Sequence, residues 1–377
     1  MSNNANTKGL AGVTAGQTSI ATVGKEGKGL TYCGYTIEDL AEHSTFEEVA
    51  FLLMQSRLPL TGELEAFHTQ LQKHRTLPDP LKMVLEQLPS SSLPMDVLRT
   101  GCSTLGCLEP EMDFTAQRSV VIRLLASLPS MLMYWHHFSH TGNRIDINTT
   151  EKSIAGHFLK MLTGSTPSEL NERALDVSLI LYAEHEFNAS TFVSRITAST
   201  LSDIYSTITG GIGALRGPLH GGANEAAMEF IERFKTPAEA ETGVLEALAC
   251  KDKIMGFGHR IYTTSDPRSA IIKQWAKRLS KDTEDSHLFA VSERIEEVMW
   301  REKRIFPNLD FYCATAYHTL QIPTSLFTPI FVMSRTAGWA AHVFEQRADN
   351  RLIRPNADYI GPDTRSYIPI ADRSESN

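Results

Sequence analysis

The sequence predicts a mainly α-helical protein, and three observations carry that prediction. Ser or Thr recurs three residues ahead of Glu at the start of apolar segments, a pairing that satisfies two orphan backbone donors of a helix N-terminus. Apolar residues within those segments fall three and four apart. Alternating runs bounded by hairpin turns are scarce. At 377 residues the chain exceeds what one core usually supports, which predicts two domains or one unusually large one.

Taken in order along the chain, GKGLTYCGYTI (27–37) is the best candidate for a short strand pair. Ser44 with Glu47 predicts a helix over STFEEVAFLLMQ. The most apolar stretch, VVIRLLASLPSMLMYW (120–135), is interrupted by Arg123 and Pro129, so it is no membrane span. Thr166 with Glu169 predicts a helix over TPSELNERALDVSLILYAEHEF, with Pro167 at its first position. Leu170, Ala174, Val177 and Leu181 share one face of it, and it delivers Glu184 and His185 at its end. Thr236 with Glu239 predicts another helix, TPAEAETGVLEALAC. Glycines and prolines thicken in GGIGALRGPLHGG (210–222) and KIMGFGHRIYTTSDPR (253–268), which therefore read as hinges or active-site loops. TPIFVMSRTAGWAAHVFEQ (328–346) predicts an apolar helix whose interior Arg335 needs an anion to face.

Composition excludes several functions. A net charge of −8, with no basic cluster interleaved with aromatics, argues against nucleic acid. Five cysteines without a CxxC pair fit neither a disulfide framework nor a zinc knuckle, and point to a reducing cytoplasm. The N-terminal MSNNANTKGLAGVTAG lacks the apolar core of a signal peptide.

The glycines of GGIGALRG miss the GxGxxG spacing of a dinucleotide site. HEFNA lacks the second histidine of a zincin, and His136, His137 and His140 have no carboxylate nearby to complete a metal site. Two histidines do stand out. His220 lies between Pro218 and Gly221–Gly222, and His259 follows Gly256 and Gly258 with Arg268 nine residues on. Two histidines in rigid Gly/Pro loops point to a functional site. Asp310, in FPNLDFYCATAYHT, reads on its spacing alone as a helix cap.

GPLHGGANEA, GFGHRIYTTSDPR, FPNLDF, AEHEFNAS and IRPNADYIGP together resemble the citrate synthase family, in family order and across essentially the whole chain. LTYCGYTIEDLA, FEEVAFLL, LPMDVLRTG, MYWHHFSH and LYAEHEFNASTF most resemble the branch that takes propionyl-CoA, and the same stretches are similar enough in the branch that takes acetyl-CoA to keep it as the alternative. One departure is Leu93, where relatives often carry histidine before the proline.

The resemblance implies an almost wholly helical fold. A large domain (1–220 and 321–377) would be closed over the active site by a small one (221–320). It implies condensation of an acyl-CoA with oxaloacetate, with Asp310 as the base, His220 donating to the thioester oxygen and His259 to the ketone of oxaloacetate. His185, Asn188, Arg268, Arg335 and Arg354 would hold oxaloacetate, and Lys253, Ile254, Met255, Gly256 and Phe257 the CoA. It implies no metal and no cofactor, and a homodimer in which Arg354 serves the neighbouring subunit's site. Because an α C–H beside a thioester is a weak acid, the carboxylate needs a partner that stabilises the enolate as it forms.

Overall fold

The computed structural model describes residues 8–10, 12–24, 29–281, 283 and 285–373. Residues 1–7 and 11 of the N-terminal stretch read above, and Gly27 and Lys28 of the strand candidate, lie outside them.

Helices dominate. The sheet is a small antiparallel meander of β1 (Ala21–Val23), β2 (Leu30–Tyr32) and β3 (Tyr35–Thr36), with Ala21 opposite Tyr32 and Tyr32 opposite Tyr35. Cys33 and Gly34, at φ 47° and 91°, make the two-residue turn of matching hand between β2 and β3. The buried Tyr32 hydroxyl donates to the carbonyls of Ile180 (3.1 Å) and Glu184 (3.0 Å), which pins the sheet under the segment that carries His185.

Helices α1 (Ile37–His43), α2 (Phe46–Gln55), α3 (Thr61–Lys73), α4 (Asp79–Glu86), α5 (Pro94–Leu108) and α6 (Gln117–Thr141) follow. The cap of α2 is one residue later than predicted: Thr45 pairs with Glu48. Glu47 is buried instead, and its Oε1 accepts from the Ile154 N–H 2.7 Å away. Pro129 sits inside α6, and Arg123 is buried there in an ion pair with Glu109 at 2.8 Å.

Next come α7 (Ile154–Thr163), α8 (Glu169–Tyr182), α9 (Ala189–Ser199) and α10 (Ile204–Leu215). Ser168, not Thr166, caps α8; of its predicted face Ala174, Val177 and Leu181 are buried and Leu170 is exposed. The glycines of GGIGAL belong to α10 rather than to a loop. A Cβ on Gly211 would stand 3.0 Å from the Trp339 ring, so the glycine serves close helix packing.

The chain continues through α11 (Ala223–Ile231), α12 (Pro237–Ala249), α13 (Pro267–Leu279), α14 (Ser286–Lys303), α15 (Leu309–Thr319) and α16 (Phe327–Ala348). Thr236 caps α12 and Pro237 is its first residue, as predicted. Within this stretch α12 packs on α14, and α11 and α13 pack on α15. Helix α16 is buried from Phe327 to Val343 and packs against α2, α6, α8, α9 and α10. A helix that is apolar all round belongs in a core. Beyond it, residues 350–369 run as an exposed segment without helix or strand. Among the described residues no helix is long and apolar enough to cross a membrane.

Candidate active site

A cavity of about 1190 Å³ lies where the segment after α8, the α10–α11 turn, the α12–α13 loop, the start of α15 and the middle of α16 converge. His185, Asn188, His220, His259, Arg268, Asp310 and Arg335 all line it.

The α10–α11 turn explains the glycines around His220. The amides of His220 and Gly221 both donate to the Gly217 carbonyl at 2.9 Å. A Cβ on Gly221 would meet the Leu215 carbonyl oxygen at 2.1 Å, and Gly222 takes φ 77° to start α11. The turn delivers the imidazole to Ser190, whose backbone N–H donates to His220 Nε2 at 3.1 Å. An amide can only donate, so the ring proton sits on Nδ1. Burial, with Arg335 adding to it, lowers the His220 pKa to about 4, and the ring is neutral near pH 7.

His259 is the mirror case. Its Nδ1 accepts from the amides of Ile261 and Tyr262, both at 3.1 Å, so its proton sits on Nε2. Burial and then Arg268 lower its pKa to about 4. The loop is held by Gly256 (φ 87°), whose missing Cβ would stand 2.9 Å from Phe311, and by main-chain bonds from Gly258 to Phe306 and from Asn308 to Gly256. His259 and the start of α15 are thus fastened together.

Asn308, not Asp310, caps α15. Asp310 is thereby free to point into the cavity, where its Oδ1 accepts from the Tyr182 hydroxyl at 2.6 Å. Burial raises its pKa against that hydrogen bond. Arg268 is gripped by Asp266 through two bonds of 3.0 and 2.9 Å; burial opposes its charge, but Asp266 outweighs this and the net shift is upward. Arg335 donates from Nε to the Tyr182 carbonyl at 2.7 Å, and burial lowers its pKa to about 10, which leaves it charged. His185 lies edge-on to His259 at 5.0 Å with Nε2 3.2 Å from the Tyr262 hydroxyl; burial first, then Arg268, pushes its pKa well down.

Three predicted contacts sit differently. Asn188 lines the cavity but spends its side chain capping α9, accepting from Thr191 N–H at 3.1 Å. Of 253–257, Lys253 and Met255 face the cavity, whereas Ile254 is buried, Gly256 packs on Phe311 and Phe257 lies tilted against the same ring at 4.5 Å. Arg354 is exposed on the segment after α16, meets Asn356 at 3.3 Å and is absent from this cavity's lining. His136 and His140 lie with tilted rings 4.7 Å apart near the end of α6, and His137 Nε2 meets the Met161 carbonyl at 2.9 Å. Among the described residues no three His, Cys, Asp or Glu side chains gather to hold a metal ion.

Sequence reading missed Tyr182, Ser190, Tyr262 and Asp266. Only Asp266 left a signal, as the cap before Pro267. It also missed the N-terminal segment. Gly9, Leu10, residues 12–16 and Thr18 line the cavity, with Arg260 reaching the Gly9 carbonyl at 3.4 Å and Gly16 against the Phe187 ring.

The family model of the citrate synthase C-terminal domain matches residues 9–356. The chain is 56% identical over 365 residues to the 2-methylcitrate synthase of Shewanella oneidensis, covering 97% of each, and 44% identical to citrate synthase 2 of Bacillus subtilis, covering 98% of this chain and 99% of that one. Its fold matches the citrate synthase of Thermoplasma acidophilum, solved as a ternary complex with carboxymethyl coenzyme A and oxaloacetate, with a TM-score of 0.90 at 32% identity over 97% of this chain and 99% of that one. A helical cleft that gathers an aspartate, two histidines of fixed tautomer and two buried arginines is therefore no coincidence of motifs: the chain belongs to the citrate synthase family of acyltransferases.

Proposed function

We propose that this protein is a 2-methylcitrate synthase, which condenses propionyl-CoA with oxaloacetate and water to give 2-methylcitrate and CoA. The observation that carries the chemistry is the convergence of Asp310, the Nδ1–H of His220 and the Nε2–H of His259 on one arginine-lined cavity. The choice of acyl group follows the likeness to the Shewanella enzyme.

Asp310, ionised, takes the α-proton of the thioester, while His220 Nδ1–H donates to the thioester oxygen, so that an enol forms rather than a free enolate. The enol carbon attacks the ketone of oxaloacetate, and His259 Nε2–H donates to the oxygen as it becomes an alkoxide. Water then cleaves the thioester and CoA leaves. Arg268 and Arg335, with His185 and Asn188, hold the two carboxylates of oxaloacetate, whose burial without partners would cost several kcal/mol. Lys253 and Met255 face the CoA side, on a loop that Gly256 and Phe257 anchor against Phe311. The sequence of steps calls on no metal and no redox cofactor.

The same reading makes residues 221–320 a body that closes on the rest, and the functional unit a cytoplasmic homodimer in which Arg354 enters the neighbouring site.

Release of CoA from propionyl-CoA and from acetyl-CoA, each with oxaloacetate, tests the proposal. We expect kcat/KM for propionyl-CoA to equal or exceed that for acetyl-CoA. A ten-fold preference for acetyl-CoA, about 1.4 kcal/mol, would make the protein a citrate synthase instead.

A further inference from the structure

Behind the oxaloacetate side of the cavity runs a line of charged and polar side chains that the chemistry does not use. On α16, Arg335, Gly338 and His342 fall at spacings of three and four and so share one face. Glu184, fully buried, lies along that face. One of its carboxylate oxygens, Oε1, is 3.0 Å from His342 Nε2; the other, Oε2, occupies the space that a Cβ on Gly338 would need, at 2.3 Å, and has no hydrogen-bond partner among the described residues. Its negative charge is the foremost one supporting the charged form of Arg335.

His342 is fully buried as well. Arg195 Nη1 stands 3.0 Å from its Nδ1 and can only donate, so the ring proton sits on Nε2 and is given to Glu184. Arg195 in turn pairs with Glu345 at 2.6 Å, and Glu345 accepts from the backbone and hydroxyl of Ser19 at 2.7 and 2.9 Å. Phe187 is held by the same groups, with the His342 ring edge-on at 5.6 Å and the Arg195 guanidinium over its face at 4.7 Å. His185 therefore sits between two residues, Glu184 and Phe187, that His342 grips from behind.

We propose that His342 is a positioning residue for oxaloacetate, which, backed by Arg195 and Glu345, locks the Glu184–Phe187 segment so that His185 faces Arg335 across the cavity. The inference rests on the reading of His185 and Arg335 as oxaloacetate contacts. No atom of His342 touches the cavity, so its effect is on geometry and not on proton transfer.

Steady-state kinetics of His342→Ala, His342→Gln and Glu345→Gln, with folding checked by thermal melting, test it. His342→Ala should raise the KM for oxaloacetate about ten-fold while kcat at saturation and the KM for acyl-CoA stay within about three-fold of wild type. His342→Gln, which can still donate to Glu184, should recover most of that loss. Glu345→Gln lies at the outer end of the line, with a side chain 23% exposed, and should show the same one-sided change at about two- to three-fold even where the alanine variant fails to fold. Equal changes in both KM values, or none in folded variants, would overturn the proposal. Arg335→Ala, measured alongside, separates the two levels. If it leaves the KM for oxaloacetate unchanged, the site assignment falls and this inference with it; if it weakens oxaloacetate and the His342 and Glu345 variants do not, only this inference falls.

Discussion

In the proposed reaction Asp310 must be ionised to take a proton, and burial raises its pKa above the ordinary 3.8. Below that raised value it is protonated and idle, so activity falls as pH drops through it. His220 and His259, which the proposal casts as neutral donors, become charged only near pH 4, so neither adds a limb around pH 6.5. The expected profile of kcat/KM is one acid limb above the usual aspartate range, shared by exchange of the acyl-CoA α-proton with solvent deuterium. Asp310→Asn should abolish that exchange and leave oxaloacetate binding nearly intact; exchange at the wild-type rate in the variant would place the base elsewhere. At this scale the sequence was informative wherever the backbone itself was unusual. His220 and His259 were marked by glycine and proline, and Arg335 by its apolar surroundings. Tyr182, Ser190 and Tyr262 left no mark, because each is a common residue made important by a partner from a distant segment.

Among helices, the sequence placed the elements well and their ends less well. Ser44–Thr45 and Glu47–Glu48 offer two capping pairs one residue apart, and local rules do not choose between them. Tertiary contacts do, since Asp176 takes the Phe46 N–H at 2.9 Å and Glu47 is drawn to the start of α7. The glycines of α10 misled for a related reason: Gly210 and Gly211 look like loop signals but mark close helix packing, against Val193 and against Ser194 and Trp339. Gly338 gives the sharpest case. Alanine there would gain about 1 kcal/mol of helix propensity. Its Cβ would also meet the Ala183 carbonyl oxygen at 2.3 Å, a backbone clash that cannot be relieved by a rotamer change. Overpacking of this kind costs about 1–3 kcal/mol or more, so Gly338→Ala should lower Tm by several degrees and weaken oxaloacetate binding. An unchanged Tm would mean that the 183–184 segment yields freely.

For the whole molecule, the exposed segment after α16 carries Leu352, Tyr359, Ile360 and Tyr367, a density of apolar side chains that solvent alone does not favour. Arg354 lies within it. If that arginine acts in the neighbouring subunit's site, co-expressing the inactive variants His220→Ala and Arg354→Ala should restore activity. Random mixing makes about half of the dimers mixed, each with one intact site, so about a quarter of wild-type activity should return. No recovery from subunits shown to have exchanged would assign Arg354 to its own chain. The overall architecture was legible because helical periodicity is a local property. Assembly entered only through the family resemblance, because a contact between identical chains would leave no period in the sequence of one.

The two fixed tautomers have an evolutionary consequence. The donors that set them belong to the backbone of Ser190, Ile261 and Tyr262, and every residue except proline supplies the same N–H. Side chains around both histidines can therefore drift over many generations without changing which nitrogen holds the proton. The proton pattern is inherited with the path of the chain, and selection can retune the pocket for a different acyl group while leaving the acid–base logic in place.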